Sequence, residues 1–218
     1  MFQTRVERDE RERAFKELTH WLLHGLVDFD FISESLLPAQ CPTQKGKQFK
    51  VGVMKYDVVI VPNLRTIRST TLERLERFAK DGGEVIFAGG VPSLVDAKPS
   101  KRPQRLARRC HAIPLGRGEI LRALEPWREL SVSLLNEDPN DDSPRRLGYP
   151  ADQTSATLLD GGPADSLLYQ MRQDNDGRYL FICNTDKFHA RDGARIVIRG
   201  RWSVTELDTF TEIGRAHV

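Results

Sequence analysis

The pattern of apolar and polar residues is clearest between Tyr56 and Gly90, where it predicts a strand, a helix and a second strand. Val58–Val61 is a continuous β-branched run closed by Pro62, which is typical of a strand buried on both faces of a parallel sheet. Val85–Ala88 returns as a second apolar strand, and the crossover between the two is expected to be right-handed. The helix between them has apolar residues at helical spacing: Leu72, Leu75, Phe78 and Ala79.

Both ends of this helix carry local signals. Thr70 and Glu73 have the spacing of a capping box, in which a hydroxyl and a carboxylate each bind a backbone amide. Gly82 and Gly83 offer the left-handed conformation that ends many helices. The sequence therefore predicts a helix that begins near Thr70 and ends at this glycine pair.

Residues 7–26 are predicted to form a helix that is charged at first and then apolar. His20 and His24 lie four residues apart, which could direct both imidazoles towards one metal ion. A zinc site needs three or four ligands, and the sequence offers no obvious third one. Surface or packing roles are therefore favoured for both histidines, and no metal site is predicted.

Asp28–Ile32 alternates polar and apolar residues and predicts a first short strand. Asp28 and Asp30 would share a face of it, where they could serve acid–base chemistry or bind a cation, although strand-end acids more commonly cap backbone or pair with arginine. Ser33–Leu37 is predicted as a turn of helix before Pro38, and Phe49–Val53 as a short edge strand or hairpin arm.

A basic helix is predicted at Gln104–His111, with four arginines in and beside it: Arg102, Arg105, Arg108 and Arg109. These side chains could contact phosphate, but no aromatic residues interleave them, so a solvated helix face is favoured. A strand at 112–115, a helix at 118–124 and a strand at 130–135 are predicted to follow.

The composition changes sharply over residues 136–148, where acids, prolines and asparagines indicate an exposed linker. We therefore expect an α/β domain over 1–136, a linker over 137–150 and an all-β domain over 151–211. In the last of these, residues 167–172 and 179–184 predict one hairpin, and 194–199 and 202–207 predict a second. Four strands joined by short turns suggest part of a β-sandwich.

Composition excludes several classes of protein. Among 218 residues the net charge is only +2, which does not favour a nucleic-acid partner. The three cysteines Cys41, Cys110 and Cys183 form neither a disulfide framework nor a metal-binding pattern. No apolar run is long enough to cross a membrane and no secretory signal is visible, which favours the cytoplasm.

No complete catalytic constellation is present in the sequence. The turn after Ala88 lacks the glycine pattern of dinucleotide-binding folds, and neither a Walker A sequence nor a nucleophile elbow occurs. Ser93 is the nearest nucleophile to that turn and has no matching histidine and acid. We predict no catalytic residue and no cofactor.

Three stretches together resemble a known family: 27–34 (VDFDFISE), 51–92 (VGVMKYDVVIVP onwards) and 167–211 (LLYQMRQDNDGRYLFICNTD onwards). They look like the domains that follow the catalytic barrel in large multidomain glycoside hydrolases of the β-galactosidase-like and α-L-rhamnosidase-like kinds. The resemblance covers most of residues 15–211. It implies a flavodoxin-like, class I glutamine-amidotransferase-like α/β domain without glutaminase activity, followed by part of a C-terminal β-sandwich.

The resemblance also implies a function. The catalytic carboxylates would lie in a barrel before Met1, so this chain would be an accessory, inactive portion that meets carbohydrate through its parent enzyme and could form a homo-oligomer. Asp28, Asp30, Asn184 and Asp186 match the family pattern without acquiring a catalytic role.

The alternative function is a free-standing carbohydrate-binding or scaffold module that would contact sugar through aromatic side chains: Trp202, Tyr179 or Tyr169. Burial of these aromatics in a core is the favoured expectation, because tryptophan and tyrosine are mostly buried in folded proteins.

The end of the chain raises a separate expectation. Ile213–Val218 reverse-translates to ATCGGAAGAGCACACGTC, a common sequencing-adapter string. We therefore expect residues 212–218 to be non-native and to carry no information about the fold, as is the case for residues left by a tag or a cloning site. The β-sandwich would then be cut short and would leave an exposed edge strand.

Overall fold

The computed structural model describes residues 5–134, 166–188, 194–207 and 214–217. The first part of the chain mixes helices and short strands: α1 Arg5–His24, α2 Leu37–Gln40, β1 Phe49–Val51, β2 Met54–Tyr56, β3 Val58–Val61, β4 Thr66–Ile67, α3 Ser69–Lys80, β5 Glu84–Ala88, β6 Leu94–Val95, β7 Lys98–Pro99, α4 Arg102–Ala107, β8 His111–Ile113 and α5 Arg117–Leu124. A 3₁₀ turn and strands follow: Glu125–Trp127, β9 Leu130–Leu134, β10 Leu167–Gln173, β11 Arg178–Asn184, β12 Ala194–Ile198, β13 Val204–Leu207 and β14 Gly214–His217.

A parallel sheet in the order β3-β5-β8 lies at the centre of the first part. Val58 pairs with Glu84 and Ile86 pairs with His111, so the predicted strand–helix–strand unit is confirmed. β5 is buried on both faces because its side chains alternate between two cores. β3, by contrast, is only partly buried before Val61.

Helices cover both faces of this sheet. On one face, α2, α3 and α4 pack their apolar residues against Val61, Val85 and Phe87. On the other face, α1 and α5 pack Leu18, Leu22, Ile120 and Leu124 against Ile86 and Ala88. The arrangement is three layers deep, with the sheet between the helices.

The ends of α3 differ in how well the sequence predicted them. The capping box of Thr70 and Glu73 is wrong, because α3 begins one residue earlier and has no side-chain cap of its own. The amide of Ser69 donates instead to Asp96 Oδ1 at 3.0 Å. The amide of Arg68 donates to Glu34 Oε1, also at 3.0 Å. Carboxylates from distant loops therefore replace the local cap.

The glycine pair at the other end of α3 is confirmed. Gly82 has φ +85°, and its amide donates to Ala79 O at 3.2 Å. The amide of Gly83 donates to Phe78 O at 2.8 Å. These two bonds form a Schellman motif, which satisfies the last carbonyls of the helix.

The predicted strand at Asp28–Ile32 is wrong, since these residues run between α1 and α2 without strand pairing. Tyr56, which precedes β3, donates its hydroxyl to Asp30 Oδ2 at 2.6 Å, so a side chain rather than a backbone ladder joins the two segments. The hairpin arm at Phe49–Val53 is confirmed as β1, which pairs with β2 across a left-handed Gly52.

Two predicted helices shift at their ends, and a predicted turn of helix is confirmed. The helix expected over 7–26 is α1 at Arg5–His24. The turn expected at Ser33–Leu37 is present, since the amide of Leu37 donates to Ser33 O at 2.9 Å. α2 continues from Leu37 and tolerates Pro38 because the first turn of a helix needs no amide donor there. The basic helix is α4 and ends at Ala107, since His111 already starts β8.

Antiparallel strand pairs make up the later part of the described chain. The first predicted hairpin is confirmed as β10–β11, in which Gln173 pairs with Arg178 around a four-residue turn. The second predicted hairpin is wrong, because β12 pairs with β9. β13 pairs with β14, so residues of the tail that was expected to be non-native do form a strand. Pairing with β9 places Ile198 opposite the buried Leu130, and Ile198 packs against the apolar cluster that contains it. The predicted linker at 137–150 lies outside the described residues.

A third apolar cluster joins the two parts of the chain. It contains Leu26 after α1, Leu130 and Val132 of β9, and Leu167 of β10, all buried. Its partly buried members come from β10, β11 and β12: Tyr169, Leu180, Ile182 and Ile198. No helix among the described residues is long and apolar enough to span a membrane.

Candidate functional site

A cavity of about 680 Å³ lies between the segment after α1 and the stretch from β2 to β3. Its volume falls within the range of small-molecule sites. The interior is lined by core residues such as Leu18, Leu22 and Ile60. Polar side chains on its lining include those of Asp28, Asp30, Tyr56, Arg128, Glu129 and Tyr169.

The acid pair predicted from the sequence does lie at this cavity. Asp28 and Asp30 are both exposed at its rim. Asp30 accepts the Tyr56 hydroxyl at 2.6 Å. Loss of hydration, and then the hydrogen bond to Asp30, raises the pKa of Tyr56, so this hydroxyl remains a donor at neutral pH.

Asp28 lies in an environment that disfavours its charged form. Loss of hydration around its carboxyl raises the pKa of Asp28, and repulsion from Asp30 and Glu129 raises it further. A hydrogen bond from the Phe29 amide acts in the opposite direction. The carboxyl therefore holds its proton to a higher pH than an ordinary aspartate.

Tyr169 of β10 closes the same rim from the other part of the chain. Burial, followed by repulsion from Asp28 and Glu129, raises the pKa of Tyr169 to about 12. Its neighbour Glu129 forms an ion pair with Arg178 at 2.8 Å. Arg128 is buried, pairs with Glu125 at 2.9 Å and donates to Gly25 O at 3.3 Å.

This set of groups both accepts and donates hydrogen bonds, as the contact of the Tyr56 hydroxyl with Asp30 shows. Carboxylates and tyrosine hydroxyls are suited to holding a ligand that carries hydroxyl or ammonium groups. Within the described ranges, no group of three or more histidine, cysteine or acidic side chains could hold a metal ion. His20 and His24 pack their rings at 4.2 Å from one another.

The other sequence-derived candidates lie apart from one another. Ser93 is exposed, and its amide donates to Arg65 O at 3.2 Å. Arg102 forms an ion pair with Glu76 at 2.7 Å, which raises the pKa of the guanidinium. The remaining arginines of this cluster have exposed side chains: Arg105, Arg108 and Arg109.

The three aromatics considered for sugar stacking have different environments. Trp202 is 45% exposed, and the guanidinium of Arg178 lies 4.7 Å over its ring. Tyr179 is 48% exposed and donates to Asp176 Oδ2 at 2.8 Å. Tyr169 is partly buried in the third cluster. The expectation that all three are core residues is therefore wrong for Trp202 and Tyr179, because both are on exposed parts of the strand region.

Asn184 and Asp186 organise the chain after β11. Asn184 Oδ1 accepts the amide of Asp186 at 3.0 Å, and Asp186 Oδ1 accepts the amide of Phe188 at 3.0 Å. These contacts are side-chain-to-backbone turns of the kind that acids and asparagines commonly make.

Sequence reasoning missed Tyr56, Arg128, Glu129 and the location of Tyr169 at this cavity. Tyr56 is 26 residues from Asp30 in sequence, and no local pattern links the two. No known family model matches the chain, and comparisons with curated proteins and with solved structures give no significant match.

Proposed function

We propose that this chain is the accessory, non-catalytic portion of a large glycoside hydrolase, with a flavodoxin-like α/β domain followed by part of a β-sandwich. The observation that supports the proposal is the order of elements: a helix-covered parallel sheet comes first and antiparallel pairs follow. That order agrees with the resemblance seen in the sequence. In the parent enzyme the portion would shape the mouth of the catalytic barrel or form contacts between subunits.

As an accessory portion, the chain would not carry the catalytic acids of its parent enzyme. The full chain should therefore not hydrolyse aryl glycosides under conditions in which its circular dichroism shows a folded protein. Turnover that scales with protein concentration would contradict the proposal.

The parent enzyme can be sought directly. Sequencing the genomic locus across both ends of this reading frame should reveal an upstream frame that encodes a barrel with paired catalytic acids, and should show biological sequence in place of the adapter-like string. A locus without an upstream barrel would overturn the glycoside hydrolase assignment.

A free-standing carbohydrate-binding module is the second candidate, and the exposure of Trp202 and Tyr179 favours it. Exposed aromatic rings can stack on the apolar faces of sugars. Calorimetry of the full chain against a panel of oligosaccharides should then show saturable binding that Trp202→Ala abolishes. Tyr169→Phe is the matched control, because that ring is partly buried and the substitution preserves its packing.

A further inference from the structure

The outer edge of β3 is unpaired among the described residues. β3 is the end strand of the β3-β5-β8 sheet, and no described strand pairs with the side of it that faces away from β5. In a parallel ladder, alternate backbone groups of a strand point to opposite neighbours. Half of the amides and carbonyls of Val58–Val61 therefore face away from β5, towards the cavity.

The segment Asp28–Ile32 runs beside this edge with its side chains already divided between the two faces of the sheet. Phe29 packs in the same core as Val58 and Ile60. Ile32 packs in the opposite core, together with Val59. This alternation is that of a strand lying in the plane of the sheet.

The direction of the segment matches that of β3. Glu34, just after the segment, accepts the amide of Arg68, which lies beyond the C-terminal end of β3. The C-terminal ends of the two stretches are therefore on the same side of the sheet, as parallel pairing requires.

The cavity occupies the space between the two backbones. Unbroken runs of both stretches line it, over residues 26–32 and 54–62. The side chains of the segment are thus placed as in a strand, while its backbone is separated from β3.

A side-chain hydrogen bond holds the segment in this position. The Tyr56 hydroxyl, two residues before β3, donates to Asp30 Oδ2 at 2.6 Å. In the described arrangement no backbone hydrogen bond joins Asp28–Ile32 to β3.

We propose that Asp28–Ile32 is a closing strand, which pairs in parallel with the outer edge of β3, fills the cavity and completes a four-stranded sheet. The described arrangement is the open form. Closing forms backbone ladder bonds between this segment and β3 and fixes Asp28 and Asp30 on one face of the sheet. The inference is independent of the proposed glycosidase role.

Amide-resolved hydrogen exchange on the full chain tests this closure. A sheet that stays open protects only the inner, β5-facing amides of Val58–Val61, whereas closure protects all four amides of this strand. We expect the outer amides to exchange at least roughly 100-fold more slowly than unstructured amides. Outer amides that exchange at the unstructured rate would overturn the proposal.

Two substitutions at one position separate backbone pairing from side-chain packing. Phe29→Pro removes both the amide and the ring and should accelerate exchange of the outer amides by roughly tenfold or more. Phe29→Ala removes the ring alone and should retain most of their protection. Protection of the inner amides in both variants shows that the sheet is still folded.

Equal loss of outer protection in the two variants would overturn the proposal, because packing of the ring would then be the cause. Protection that disappears on dilution would also overturn it, because a second copy of the chain would then be the strand that covers the edge.

Discussion

Leu26 adopts the left-handed backbone conformation that is usually found at glycine. It has φ +54° and is 1% exposed, directly after the last turn of α1. The amide of Val27 donates to Leu22 O at 3.0 Å in the bonding pattern of a Schellman motif. The preceding Gly25 has a separate reason to be glycine, because a Cβ there would overlap the side chain of Leu121. The residue with the strained, positive φ is therefore Leu26, whose side chain packs in the third cluster.

The strained backbone of Leu26 predicts that a glycine variant at this position is more stable than an alanine variant. Leu26→Ala should lower the free energy of unfolding by about 2–5 kcal/mol, because it empties a buried site. Leu26→Gly should lower it by about 0.5–1 kcal/mol less, since glycine adopts a positive φ without the steric cost. Urea unfolding of both variants measures the difference. A glycine variant less stable than the alanine variant would show that the left-handed conformation is not retained.

Asp96 is an exposed acid that acts on a helix from another element. Hydrogen bonds from the Ser69 hydroxyl and amide lower the pKa of Asp96 below its ordinary value of 3.8. Because its pKa is lower in the folded chain, the stabilisation is complete above that ordinary value and is lost as the pH falls through the folded value.

Asp96→Asn isolates the contribution of this charge. Asparagine keeps the size, the acceptor oxygen and the tolerance of the φ +47° that Asp96 adopts. The variant should unfold at a lower urea concentration than the parent at neutral pH, and the two midpoints should converge in acid below pH 3.8. A difference that persists unchanged at the lowest pH would exclude the charge as its cause.

At the level of elements, the two ends of α3 are determined by different parts of the chain. The C-terminal end is local, since Gly82 and Gly83 follow the helix directly and make its closing bonds. A Cβ on Gly82 would meet only Lys47, at 3.4 Å, so its constraint is the left-handed backbone. A Cβ on Gly83 would overlap the ring of Phe78, which is fully buried.

The two glycines should therefore respond differently to alanine. Gly82→Ala should lower the free energy of unfolding by about 1 kcal/mol through backbone strain. Gly83→Ala should cost about 1–3 kcal/mol, because the buried ring has to move. Thermal and urea unfolding of the two variants checks the order. Equal effects would mean that the Phe78 ring adapts without cost.

The N-terminal end of α3 marks where sequence reasoning fails. Thr70 and Glu73 have the spacing of a local cap. The amides of Ser69 and Arg68 at the start of the helix are instead bound by carboxylates 27 and 34 residues away. Periodicity predicted most helices and strands because each reflects burial within one element. It could not predict which distant side chain caps a helix.

At the level of the whole molecule, the third cluster couples the α/β part to the strand pairs. Leu167 of β10 is 3% exposed and packs there with Leu26, Leu130 and Val132. Its neighbour Leu168 is only partly buried and does not belong to the cluster. The β10–β11 hairpin is therefore attached through one face.

Leu167→Ala should detach this hairpin, with a loss of about 2–5 kcal/mol in the free energy that protects its amides from exchange. Leu168→Ala is the matched control and should cost less, because fewer buried contacts are removed. Amides of β5 should retain more protection than those of β10 in the Leu167 variant. Uniform loss across both parts would show that they unfold as one unit.

Strand pairing between elements that are distant in sequence could not be predicted from the sequence. The β10–β11 hairpin was predictable because its turn lies between its strands. The pairing of β12 with β9 was not predictable, since these two strands are far apart in sequence. The candidate site has the same limit: the acid pair was visible, but its tyrosine partners arrive from β10 and from the stretch before β3.

The cysteines differ in environment, and this has a practical consequence for labelling chemistry. Cys183 is exposed on β11, whereas Cys41 is buried. Cys110 is partly buried, and burial raises the pKa of its thiol, with a further contribution from Glu84. Because the thiolate is the reactive form, a maleimide dye at one equivalent should modify Cys183 first, which peptide mass spectrometry would verify. Cys183 is thus the preferred attachment point for a fluorophore, on the β10–β11 hairpin.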